Sequence, residues 1–108
     1  MNGREYLGEF EQIVLLAVLR VPGEAYGVPI RREIERRAHR AVTIGALYRT
    51  LDRLETKGFV SSRMSDPTPE RGGRSKRVFR VEAVGLRALR QTQKALTVMW
   101  DGLDLGKA

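Results

Sequence analysis

The chain has 108 residues, 20 of them Lys or Arg and 13 Asp or Glu, giving a formal net charge of +7 and a sequence pI near 10.5. That length holds one small domain, or one domain with an extra helix, and that charge calls for an anionic partner, nucleic acid first. There is no cysteine for a disulfide or a thiolate-bound metal, the apolar run from Ile13 to Leu19 falls short of the roughly 20 residues of a membrane span, and MNGREYLGEF lacks the apolar core of a secretory signal, so a cytoplasmic protein is expected.

The first predicted element runs from Glu9 to Arg20 as a helix: Phe10, Ile13, Val14, Ala17 and Val18 share a face, and Leu15, Leu16 and Leu19 widen it towards burial on more than one side. After the connection Val21-Pro22-Gly23-Glu24, a second helix is expected from Tyr26 to Arg40, with Pro29 tolerated in its first turn and Ile30, Ile34 and Ala38 facing inward. Its Arg31, Arg32, Arg36, Arg37 and Arg40, partly offset by Glu33 and Glu35, suit either a solvated face or a surface near phosphates.

The third helix opens at Thr43, whose hydroxyl is placed to accept an orphan backbone N–H, and ends at Gly58. Ile44, Leu47, Leu51 and Leu54 recur as a core stripe with Glu55 at its edge, and the opposite side carries Gly45, Arg49, Asp52, Arg53 and Thr56. The spacing of helices two and three across residues 39–42 predicts a helix-turn-helix, with the third helix as the reading element.

Beyond Gly58 the period changes to two: residues 59–64 and 76–81 suit the strands of a hairpin, joined by the turn-rich segment SDPTPERGGRS. Between Arg71 and Arg80 there are five basic residues and no acidic one, as a DNA-gripping wing requires. The last helix, from Glu82 to about Leu103, sets Leu86, Leu89, Gln93, Leu96, Trp100 and Leu103 at alternating steps of three and four, an a/d seam suited to a second subunit or to folding back on the first helix. The fold class predicted is thus mainly α with a small β-hairpin: a winged helix-turn-helix in residues 1–81 and a dimerisation helix with a short tail in residues 82–108.

LGEFEQIVLLAVL, AYGVPIRREIE, IGALYRTLDRLETKGFVSSR and PTPERGGRSKRVFRVEAVGLRAL, in this order and spacing, resemble the PadR family of bacterial transcriptional regulators across nearly the entire chain. The most specific matches are Ala25-Tyr26-Gly27, the run from Gly45 through Tyr48 to Glu55, Gly58, and Gly72-Gly73 leading to Gly85. The resemblance implies a homodimeric repressor on a palindrome-like operator, joined by its C-terminal helix, and in many relatives a small aromatic molecule releases the DNA. With one helix after the wing the chain resembles the short subgroup, which leaves the dimer interface as the place for an effector pocket.

For DNA contact the candidates are Arg49 and Arg53, whose guanidiniums fit guanine O6 and N7 or a phosphate pair. Thr43, Gly45 and Ala46 at the helix start join them, against a plain role in capping and packing, which is the favoured reading for Thr43. The matched position of Tyr48 implies a phosphate or sugar contact, against a plain role in covering the core, and Arg71, Arg74, Lys76 and Arg77 supply the wing. Phe10, Leu89, Gln93, Leu96, Trp100 and Leu103 form the expected dimer interface, with Gln93 setting register. Trp100, near Met99 and Phe10, is read either as an interface anchor or as a plate for a planar aromatic effector. No cofactor, metal or enzymatic activity is expected: His39 is the only histidine, without a Cys/His cluster or paired carboxylates, and Gly72 to Lys76 lacks Walker spacing. The alternative function from another class is a winged-helix protein-interaction module without sequence-specific DNA binding.

Overall fold

Three helices, a hairpin and a long fourth helix follow one another along the chain in a computed structural model that describes residues 6–66 and 75–106. Helix α1 spans Glu9–Arg20, and its buried Val14, Leu15, Ala17 and Val18 recur at the expected spacing. Glu11 closes its first turn by accepting the Gly8 N–H at 3.0 Å. Leu16 and Leu19, expected to be covered on a second side, remain about half exposed. Among the described residues nothing covers them further.

Helix α2 spans Gly27–Ala38, one residue shorter at its start and two at its end than the sequence reading. His39 adopts the left-handed conformation at φ 51° and stops it there, so Ala38, placed inward by the helical period, lies exposed in the last turn. Helix α3 spans Ile44–Thr56, and Thr43 caps it as expected, its Oγ1 accepting the Ala46 N–H at 3.1 Å. Gly58 reverses the chain at φ 80°, a conformation open to glycine without penalty.

Strands β1 (Val60–Met64) and β2 (Arg77–Val81) pair antiparallel, with Ser62 opposite Phe79. The Phe79 N–H donates to Ala25 O at 2.8 Å, so the entry to α2 is tied to the hairpin. Leu15, Ile30, Ile34, Leu47, Leu51 and Leu54 are almost fully buried at the centre of the core, which Phe59, Val60, Phe79 and Ala88 extend towards the hairpin and the last helix.

Helix α4 spans Ala83–Trp100 and ends three residues before the predicted limit, at Asp101 and a left-handed Gly102. It lies on the rest of the chain through Gly85, Ala88 and Thr92, a small-residue face that the sequence reading did not single out. Thr92 Oγ1 accepts the Leu7 N–H at 3.0 Å, and the Glu82 N–H donates to Phe59 O at 2.9 Å. A side chain at Gly85 would run into the Phe59 carbonyl and would stand 3.0 Å from Val81 Cγ1. Gly85→Ala is therefore expected to lose about 2–3 kcal/mol of stability in urea unfolding, the cost of forcing one methyl group into filled space against backbone; an unchanged midpoint would show that α4 shifts freely on the core.

Candidate nucleic-acid interface

Six residues of α3 are exposed, Ile44, Gly45, Arg49, Asp52, Arg53 and Thr56; the tertiary structure commits Asp52 and Arg53 to the fold, and Thr56 bonds back onto its own helix. Asp52 holds Arg77 of β2 at 2.8 Å, Arg53 reaches Glu11 of α1 at 3.3 Å, and the Thr56 hydroxyl donates to Asp52 O at 3.0 Å. Arg49 makes no ion pair among the described residues, and its Nη1 lies over Gly45, 3.7 Å from where a β-carbon would be. Ile44, read from the sequence as part of the core stripe, is 39% exposed while Leu47 and Leu51 are fully covered. It belongs to the first turn, before the helix has come down onto the core.

The two arginines expected to share one task are thus placed in different environments. Arg49 is free to meet a ligand, whereas Arg53, half exposed, shares the Glu11 carboxylate with Lys57 at 3.2 Å. Burial pushes the Glu11 carboxyl up, but the Gly8 N–H, Lys57 and Arg53 together outweigh it and hold the group below its ordinary value of 4.5. A lowered native value means that this clamp contributes its full stability above the unfolded value and loses it as the pH falls through the native one. Glu11→Gln is expected to cost about 1–2 kcal/mol at pH 7. In chemical denaturation at falling pH the gap to the unaltered protein should close below about pH 4.5; a gap independent of pH would assign the loss to packing.

Arg77, expected on the wing as a phosphate contact, is occupied by the fold. Its guanidinium bonds Glu55 at 2.6 Å and Asp52 at 2.8 Å on α3, donates from Nε to Ser62 Oγ at 3.2 Å, and lies 4.8 Å from the centre of the Phe79 ring. Burial works against the cation, yet Glu55 and Asp52 outweigh it, so the side chain is held protonated more firmly than an ordinary arginine. The bridge fixes the hairpin relative to α3 and neutralises two carboxylates on that helix. Lys76 immediately precedes β2, with Nζ 5.1 Å from the centre of the Tyr26 ring, and its backbone N–H donates to Ser65 Oγ at 2.9 Å. Arg71 and Arg74 lie outside the described residues.

Tyr48 is half buried, with its ring 6.1 Å from that of Phe79. Its hydroxyl rests against Gly27, where a β-carbon would come within 2.6 Å of it. That contact gives the Ala25-Tyr26-Gly27 entry a physical meaning: the bare Gly27 seats a tyrosine from the next helix. On α2, Glu33 is covered by Arg36 at 2.6 Å and Arg37 at 3.1 Å, and the Arg36 hydrogen bond first among the causes keeps its carboxyl low. Arg40 pairs with Glu9 at 3.0 Å, which leaves Arg32 as the exposed α2 cation without an ion pair among the described residues.

The predicted seam divides along α4. Leu86 and Leu89 are half buried, and Gln93, Leu96, Trp100 and Leu103 are exposed. With Leu16 and Leu19 of α1, residues Leu89, Gln93, Leu96 and Trp100 line an apolar groove of about 400 Å³. Met99 is 72% exposed and Phe10 lies beneath Arg40, 4.9 Å from the guanidinium carbon, so neither lines the groove within one chain as the sequence reading had grouped them. A larger hollow of about 570 Å³ between Gly23, Glu24 and the outer hairpin face is crossed by the Arg63–Glu24 pair at 3.6 Å and lies on neither the reading helix nor the seam. Among the described residues no group of side chains could hold a metal ion, and no helix is long and apolar enough to cross a membrane.

Comparison with known proteins identifies the fold. A PadR-like transcription factor from Bacteroides fragilis superposes with a TM-score of 0.70 at 21% identity, covering 83% of this chain and 82% of its own. A PadR family regulator from Eggerthella lenta gives 0.67 at 23%, over 87% and 81%. A PadR-like regulator from Bacillus cereus gives 0.68 at 16%, over 91% and 93%. No curated protein matches the sequence. Residues 15–91, from the middle of α1 into α4, match the pattern described as the transcriptional regulator PadR-like family, and the chain belongs to that family.

Proposed function

We propose that this protein is a homodimeric, cytoplasmic repressor that binds an inverted-repeat operator, with residues 1–81 contacting DNA and residues 82–108 joining the subunits. The observation that carries this reading is the α3 surface: Arg49 has no ion pair among the described residues, on a helix whose other outward charges are engaged, beside a hairpin held in place by Arg77. In the proposed complex α3 enters the major groove, with Arg49 towards base edges and Thr43, Gly45 and Ala46 close to the backbone. Lys76, with Arg71 and Arg74, follows the phosphates, and Arg77 acts by holding the wing and masking Asp52 and Glu55. Arg53 serves the DNA only after serving Glu11, and the Tyr48 hydroxyl reaches a phosphate only by leaving Gly27.

Exposed leucines on both α1 and α4 support the dimer, since a C2 axis lays such a stripe against its own copy. A planar aromatic effector fits the same region, stacked on Trp100 in the groove it shares with Leu16 and Leu19; Met99 and Phe10 would have to come from the second subunit. Quenching of Trp100 fluorescence by planar aromatics tests the effector, and silence across a broad panel removes it.

The DNA reading is tested by titrating the protein into labelled DNA from upstream of its own gene beside a scrambled duplex at near-physiological salt. A preference of about a thousandfold is expected. Equal weak binding to that fragment, to scrambled DNA and to a selected random library would favour a protein-interaction module whose charge serves another partner.

A further inference from the structure

When Asp52 and Arg53 are set aside because the fold uses them, and Thr56 because its hydroxyl is turned back onto Asp52 O of its own helix, the outward surface of α3 reduces to Ile44, Gly45 and Arg49. Arg49 is a hydrogen-bond donor and Gly45 gives the backbone room to approach. Ile44 has neither use. It is a large β-branched side chain, 39% exposed on a charged surface, one turn before Tyr48 and immediately before the bare Gly45. It is no part of the core cluster: the core beneath is closed by Leu47, Leu51 and Leu54, each at 0% exposure, and the helix start is already capped by Thr43. Isoleucine is also a middling helix former, so local propensity does not select it.

An apolar side chain at the start of a helix lying in the major groove meets one apolar group on the base edges, the thymine 5-methyl. We propose that Ile44 forms an apolar seat for a thymine methyl in each operator half-site, so that α3 reads a thymine through Ile44 and a neighbouring base through Arg49. This rests on the DNA-binding function proposed above. Gly45, between them on the helix, lets both reach by keeping the backbone close to the base edges.

The test uses the full chain and its operator, with each thymine of both half-sites replaced in turn by deoxyuridine, which pairs identically and lacks the methyl group. For the unaltered protein one position per half-site is expected to lose about fourfold in affinity, the factor for removing one methyl from an apolar contact, and about fifteenfold when both half-sites are changed. Ile44→Ala should lose a comparable factor on the thymine operator and nothing further on deoxyuridine at that position, while Ile44→Val keeps most of the discrimination. Unchanged thermal midpoints show that neither variant is misfolded. Discrimination that persists undiminished in Ile44→Ala, or deoxyuridine tolerated everywhere by the unaltered protein, overturns the seat while leaving operator binding intact. Absence of any sequence-preferred DNA overturns the function reading and the seat with it.

Discussion

Leu96→Asp is expected to turn a dimer into monomers in sedimentation velocity at micromolar concentration, with the far-ultraviolet spectrum and the folded monomer preserved. Leu96 is 49% exposed in the single chain, so the substitution removes little that the monomer's own core depends on. In a two-fold dimer the same stripe meets itself, and the variant brings a carboxylate into each copy of a seam whose other members are Leu86, Leu89, Gln93, Trp100 and Leu103. Desolvating an unpaired carboxylate costs several kcal/mol, and two of them facing each other cost more. Operator affinity should fall by more than about a hundredfold, because two half-sites linked in one dimer bind far more tightly than each alone. A dimer that survives would place the interface elsewhere and leave the Leu16, Leu19 and Leu96 groove to another occupant.

For Arg49→Ala the expected result is a loss of about 1–3 kcal/mol in operator binding with relaxed preference at one base pair per half-site, and no change in thermal stability. The stability half of that expectation comes from the fold: the guanidinium is exposed, lies over Gly45, and has no ion pair among the described residues. Arg53→Ala is the internal comparison. It strips one of two cations from Glu11, so its first effect is on stability. An equal loss on every sequence for Arg49→Ala would assign it to a phosphate, leaving Ile44 as the base-reading residue of α3.

The separate behaviour of these two arginines shows where a helical wheel stops being informative. Arg49 and Arg53 lie one turn apart on the same outward face, and nothing local distinguishes them. What distinguishes them is Glu11, 42 residues from Arg53 and 46 from Lys57 along the chain. Arg77 repeats the lesson. Five basic residues in ten with no acidic one among them read as a DNA-gripping segment, but the carboxylates that take Arg77 come from α3, 22 residues earlier for Glu55. A signal was available in Asp52 and Glu55 themselves, two acidic residues on a helix meant to approach phosphates, which call for a neutralising partner. Ile44 was misplaced for the opposite reason. Its spacing fits the core stripe, but a period assigns a direction and not a cover, and the first turn lies beyond what the core covers.

What the sequence determined by itself is everything governed by neighbours within a turn or two: the phases of four helices, the Thr43 cap, the reversal at Gly58 and the change of period that makes the hairpin. These follow from backbone sterics, side-chain spacing and local hydrogen bonds, which act over a few residues. Only the tertiary structure decided that α4 rests on Phe59, Val81 and Leu7 through Gly85 and Thr92, leaving Leu96 and Leu103 outward, and that Glu11 and Arg77 engage charges which otherwise face solvent. Small residues give no hydrophobic signal until a backbone approaches them, and an ion pair has no partner until the fold brings one within reach.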